Sequence, residues 1–186
     1  MKRDGIAPKY LFVTLFFTLF AVSGCSSVSV FTDYDHAVDF TKYKKYCWCY
    51  QSVIPGDRLA QLPLVKKRVM NAVDMVMKSK GYVMTKNDNA DFYISVHAGT
   101  RDKTRIRSTP MFYDPYWGPV GGRVSVDDYT EGTLYIDIID AATRHMSWRG
   151  VGKDIIKEYD NGDQMQITIN KMVAEILKKF PPGNRK

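Results

Sequence analysis

The period of the apolar positions changes several times along the chain. Residues 11–22, LFVTLFFTLFAV, form a near-continuous apolar run. It is shorter than the ~20 residues a transmembrane helix needs. Residues 26–34 alternate, with Val28, Val30 and Thr32 to one side and Phe31 to the other, and predict a first strand. Residues 40–50 are rich in aromatics (Tyr43, Tyr46, Trp48, Tyr50) and predict a second, followed by the turn signal Pro55-Gly56-Asp57. From 62 to 80 the period lengthens. Leu62, Val65, Val69, Ala72, Val73 and Val76 recur at the spacing of one buried helix face, and Gly81 stands where a left-handed cap belongs.

The second half is strand-rich. Over 90–107, Phe92, Ile94, Val96 and Ala98 alternate with Tyr93, Ser95, His97 and Gly99. Residues 123–140 repeat the alternation with Val124, Val126, Leu134, Ile136 and Ile138. Residues 108–122, STPMFYDPYWGPVGG, predict a long loop between these strands. A tight turn at 141–144 leads to another strand over 146–158. The last helix is predicted over 164–180, with Asp163 as N-cap, Gln166 three residues on, and Pro181-Pro182 as its stop. This order predicts an α+β fold, a two-layer sandwich. A largely antiparallel sheet of about five strands carries two helices on one face. Pairing 91–107 with 123–139 so that residue numbers sum to about 230 places the even, apolar positions on one face. On the odd face it sets Lys103 opposite Asp127, Tyr93 opposite Asp137 and Arg107 opposite Arg123.

The N-terminus changes the picture of where such a domain resides. Lys2, Arg3 and Lys9 precede the apolar run and small residues follow it, the order of an export signal. Val22-Ser23-Gly24-Cys25 resembles the lipobox of bacterial lipoproteins. That resemblance implies cleavage before Cys25, diacylglycerol on its thiol, and a single mature domain over 25–186. Several acyl chains, at ~0.8 kcal/mol per buried CH₂, hold such a protein on a membrane. By the same resemblance, Ser26 rather than Asp after the cysteine favours the outer membrane, with the domain facing the periplasm. Loss of residues 1–24 lowers the formal charge from +7 to a mildly basic +5, which suits an anionic envelope surface. The expected partners are the membrane, through Cys25, and an envelope protein or glycan. The compartment excludes nucleic acid.

The stretches 40–48 (FTKYKKYCW), 80–82 (KGY), 90–92 (ADF), 132–150 (GTLYIDIIDAATRHMSWRG) and 169–182, which ends Phe-Pro-Pro, span nearly the whole mature region. They resemble the bacterial lipoproteins grouped as domain of unknown function family 4136. The resemblance implies an envelope lipoprotein domain and brings no catalytic residues with it.

Candidate chemistry is sparse. Cys47 and Cys49 lie two apart in a predicted strand, on one face, with Cα atoms near the outer limit for a disulfide. Two buried small hydrophobes, a disulfide, and a metal or redox pair all fit them. His36, His97 and His145 show no ligand spacing to the pair, and no metal or cofactor is expected. No nucleophile elbow, phosphate loop or His-Glu-x-x-His motif occurs, and the expectation is a protein without catalytic activity. Asp137 and Asp140 read as strand and turn carboxylates. The aromatic segment 111–118, MFYDPYWG, is the better binding feature, because large rings offer much contact area at low entropy cost. Arg101, Lys103, Arg105 and Arg107 alternate along one strand face. The expected role is a structural or binding module of the envelope. The aromatic loop either folds its rings back onto the domain or binds, and the basic stripe is either a solvated strand face or an anion site. Any anionic or glycan ligand is expected at the loop end, on Arg105, Arg107, Tyr116, Trp117 and Arg123.

Overall fold

The computed structural model describes residues 28–48, 54–86, 89–108, 110–155 and 162–183. The signal segment, Cys25 and Cys49 lie outside them, as do the ends predicted for the second strand and for the strand over 146–158. In chain order the elements are β1 (Ser29–Tyr34), a 3₁₀ turn (Phe40–Lys42), β2 (Lys45–Cys47), α1 (Arg58–Gln61), α2 (Pro63–Ser79), β3 (Val83–Met84), β4 (Phe92–Ser108), β5 (Met111–Asp114), β6 (Gly118–Gly121), β7 (Val124–Asp140), β8 (Met146–Ile155) and α3 (Gly162–Leu177). Six strands form one sheet in the order β1-β8-β7-β4-β2-β3, and β5 and β6 form a separate two-stranded hairpin. The four strands from β1 to β4 in that order are antiparallel, whereas β2 pairs parallel to both β3 and β4.

The two long helices and the sheet enclose one main core. Even-numbered positions of β4, β7 and β8 face it, so Phe92, Ile94, Ile136, Ile138 and Trp148 pack with Val73 and Met77 of α2 and Ile176 of α3. The α2 stripe follows the predicted period, and its end is a Schellman motif. The Gly81 amide donates to Lys78 O at 3.0 Å and the Tyr82 amide to Met77 O at 3.0 Å, with Gly81 at φ +86°. Opposite α3, β8 carries glycine at both inward positions. A Cβ on Gly150 would collide with Trp148 and Ile176, and one on Gly152 would meet Ile176 at 2.7 Å. These glycines let the helix lie close to the strand.

The differences from expectation have local causes. Residues 40–47 do not form one strand. Asp39 Oδ1 accepts from the Thr41 amide at 3.1 Å and starts the 3₁₀ turn. Phe40, Tyr43 and Tyr46 then enter the core together, at a spacing of three rather than two. The loop between β4 and β7 contains the β5–β6 hairpin. β4 and β7 pair antiparallel with parity kept, but two residues from the expected register: Arg105 faces Asp127, Lys103 faces Tyr129, Ser95 faces Asp137 and Arg107 faces Ser125. A slip of two leaves every side chain on its own face, so face patterning alone cannot exclude it. Among the described residues no helix is long and apolar enough to cross a membrane.

Candidate functional site

β4 and β7 pair over their whole lengths, and the sheet does not follow them to the end. β2 reaches only Phe92 and Tyr93, and the pairing of β8 with β7 ends at Glu131. Beyond the latter, 102–108 of β4 and 124–130 of β7 run as a two-stranded arm with no third strand among the described residues. Seven residues at ~3.3 Å each carry the arm about 23 Å, and the β5–β6 hairpin sits at its end. The turn of that hairpin presents Tyr116 at 95% exposure and Trp117 at 84%.

The two faces of the arm differ. On the even face Thr104 Oγ1 donates to Asp128 Oδ1 at 2.7 Å, and Thr130 Oγ1 to Asp102 Oδ1 at 2.7 Å. Further out, Ile106 pairs with Val126 beside Val124. All three are more than half exposed, at 69%, 59% and 70%. On the odd face Lys103 Nζ meets Glu131 Oε2 at 2.8 Å, which holds the Glu131 carboxyl below its ordinary value. The Arg105 guanidinium lies 4.9 Å over the Tyr129 ring and opposite Asp127. Arg107 Nε is 4.0 Å from Asp127 Oδ2, with most of its side chain exposed. Arg105, Arg107, Tyr116, Trp117 and Arg123 thus all belong to the outer half of the arm and its tip. Arg105 lies on the Tyr129 ring, whereas Arg107 and Arg123 stand nearer the tip and are the cations better placed for an outside ligand.

Two other polar sites lie in the body of the sheet. The first escaped sequence reasoning. On the odd face Asp137, 3% exposed, accepts from Arg149 Nε at 2.7 Å and Nη2 at 2.8 Å. His97, 8% exposed, stacks on Tyr135 at 4.7 Å between centroids and holds Nδ1 3.7 Å from Asp137 Oδ2. Burial lowers the His97 pKa, against the pull of Asp137 and with the push of Arg149. The β7–β8 register, which sets Asp137 opposite Arg149, was the missing signal. Nearby, Cys47 is buried on the odd side of β2 and is disulfide-bonded, its partner lying outside the described residues.

The second is a cleft of about 610 Å³ at the end of the sheet away from the arm, lined among others by Asp35, Asp39, Lys42, Tyr43, Asp140 and His145. Its carboxylates mostly serve their own backbone. Asp140 Oδ1 accepts from the Ala142 and Thr143 amides and Oδ2 from the Tyr43 hydroxyl. Burial works to raise the Asp140 carboxyl, but these bonds outweigh it and hold it below its ordinary value. Asp140 is thus a turn residue, as its position before 141–144 suggested.

The family model described as Domain of unknown function (DUF4136) matches residues 30–182. The chain belongs to the DUF4136 family. No curated protein matches it in sequence. Among solved structures, this DUF4136 domain is similar to a PDZ domain protein from Parabacteroides distasonis, with a TM-score of 0.56 at 10% identity. That match covers 99% of this chain and 42% of the other, so the chain spans less than half the length of that protein. The likeness is one of fold. The PelC dodecamer from Paraburkholderia phytofirmans matches at TM-score 0.44 and 10% identity, over 81% of this chain and 94% of that one. A minor lipoprotein from Acinetobacter baumannii matches at 0.38 and 10%, over 74% and 91%. The last two are too distant to bear on function.

Proposed function

We propose that this DUF4136 protein is a lipid-anchored, non-catalytic binding module of the cell envelope. It is held by Cys25 on the periplasmic side of the outer membrane and engages an anionic or glycan polymer with the tip of its β-arm. The observation that carries the reading is the display of Tyr116 and Trp117 at the end of the arm, with Arg107 and Arg123 just behind them. Rings held away from the body stack on sugar faces, and arginines pair with carboxylate or phosphate groups. The anchor rests on the Val22–Cys25 motif behind a short apolar run.

Two measurements test the reading. Mass spectrometry of the protein from envelopes is expected to show a chain that begins at an acylated Cys25; an unmodified cysteine or an intact N-terminus contradicts the anchor. Calorimetric titration with sodium alginate, and co-sedimentation with peptidoglycan sacculi, probe the tip. Saturable, salt-sensitive binding that Trp117→Ala abolishes is expected with at least one of them, and no binding to either contradicts the tip's role.

A further inference from the structure

We infer that the arm lies against the membrane that holds Cys25, with the outer part of its even face on lipid and its odd face turned to water. The inference rests on the Cys25 anchor of the proposed function and adds a second contact between the domain and an anionic bilayer. The sheet places that anchor near the root of the arm. Ser29 opens β1 opposite Lys153 of β8, and Lys153 stands opposite Thr133 of β7. β1 is antiparallel to β8 and β8 to β7, so β1 and β7 run the same way. β7 runs from the tip of the arm into the body, so β1 begins at the end of the sheet from which the arm projects. Two strand spacings of ~4.8 Å put Ser29 only about 10 Å from β7.

The tether is shorter than the arm. From Cys25 to Ser29 the chain advances four residues, which span at most ~14 Å when fully extended. From the level of Thr133, β7 reaches nine residues outward to Val124, about 30 Å at ~3.3 Å each. The β5–β6 hairpin lies beyond that. An arm upright on the bilayer would sink its outer ~15 Å and the hairpin into hydrocarbon, where Arg105, Arg107 and Asp127 are costly. A slanted arm avoids this cost and lays one face on the surface.

The chemistry of the two faces decides which one. The even face is graded along the arm. Near the root, Asp102 and Asp128 each accept from a threonine hydroxyl. Further out, the ladder pairs Ile106 with Val126 and Ser108 with Val124, and none of these four is charged. Ile106, Val124 and Val126 are all more than half exposed, as is Met111 just beyond them. A slant therefore brings the apolar end down while the two acids stand off beside the tether. Such aliphatic surface belongs at the boundary between headgroups and acyl chains. Charge favours the same partner. The segment from Arg105 to Val126 holds Arg105, Arg107 and Arg123 against one acid, Asp114, which suits a bilayer containing anionic lipid. With the even face down, Arg107 stays on the upper face, open to the polymer of the proposed function.

Tryptophan quenching in proteoliposomes tests the inference. Full-length protein carrying Trp117→Phe, purified from envelopes, is reconstituted into vesicles of phosphatidylcholine and phosphatidylglycerol. It is compared with the same protein in vesicles whose phosphatidylcholine is brominated near the headgroup end of its acyl chains. Into this parent are introduced, one at a time, Val126→Trp and Ile106→Trp on the even face and Tyr129→Trp on the odd face. Far-UV circular dichroism checks folding, and co-flotation with the vesicles reports the anchor separately. All variants are expected to float. Val126→Trp and Ile106→Trp should show blue-shifted emission that brominated lipid quenches well beyond the parent, whereas Tyr129→Trp should be quenched no more than the parent. Folded variants that float without quenching at positions 106 and 126, or that are quenched equally at 129, overturn the inference and leave the anchor standing. Protein that does not float removes the anchor and the inference with it.

Discussion

β4 and β7 run through two environments with one hydrogen-bond ladder. In the body, residues 92–97 of β4 are all buried, with α2 and α3 on one face and the His97, Asp137 and Arg149 cluster on the other. In the arm the ladder continues unbroken, yet almost every side chain is exposed. Backbone pairing is therefore not what separates the two halves. Apolar burial, at roughly 25 cal/mol per Å², stabilises the body, whereas each net hydrogen bond contributes only ~1 kcal/mol in either half. The body bears the stability, and the arm's side chains remain available to a partner.

The comparison breaks most visibly in the core. Trp148→Ala should cost about 3–5 kcal/mol in denaturant unfolding, since it empties a fully enclosed site. Trp117→Ala at the tip should change stability by no more than ~0.5 kcal/mol. Equal losses would show that the arm is part of the cooperative core. Gly150→Ala should cost about 1–3 kcal/mol by forcing α3 away from β8. Asp137→Ala should cost a similar ~1–3 kcal/mol, because it leaves Arg149 and His97 without their shared partner.

The smallest effect is one of pH. Burial depresses the pKa of folded His97 below its ordinary 6.5. Its contribution is thus complete above that value and fades as the pH falls toward the folded pKa. Thermal melts should show stability declining below about pH 6.5 in the wild type, with a shallower decline in His97→Gln. An identical slope in both proteins would remove His97 from the account.

Much of the body was legible because its patterns are long. α2 shows a clear 3.6-residue stripe and a glycine stop, and the even positions of β4 and β7 identify the core face. The 40–47 segment misled because aromatics suggest a strand, while Asp39 starts a 3₁₀ turn that buries every third residue. β3 has two residues, both exposed, and offers no pattern to read. The tip residues could be named because aromatics and arginines cluster there in sequence. Their separation from the sheet depends on where β2 and β8 stop pairing, which no local pattern records. The His97 cluster was hidden for the same reason, since it draws on β4, β7 and β8 at once.

The central claim is that the arm, and not the cleft at the far end of the sheet, is the working surface. The direct measurement is titration of one anionic polysaccharide, sodium alginate, into two double variants whose substituted residues lie outside the buried core. Arg107→Ala, Trp117→Ala alters the tip, and Lys42→Ala, His145→Ala alters the cleft. The account predicts that the tip variant loses binding with an unchanged melting temperature while the cleft variant binds as the wild type does. Binding that survives at the tip and disappears at the cleft would contradict it.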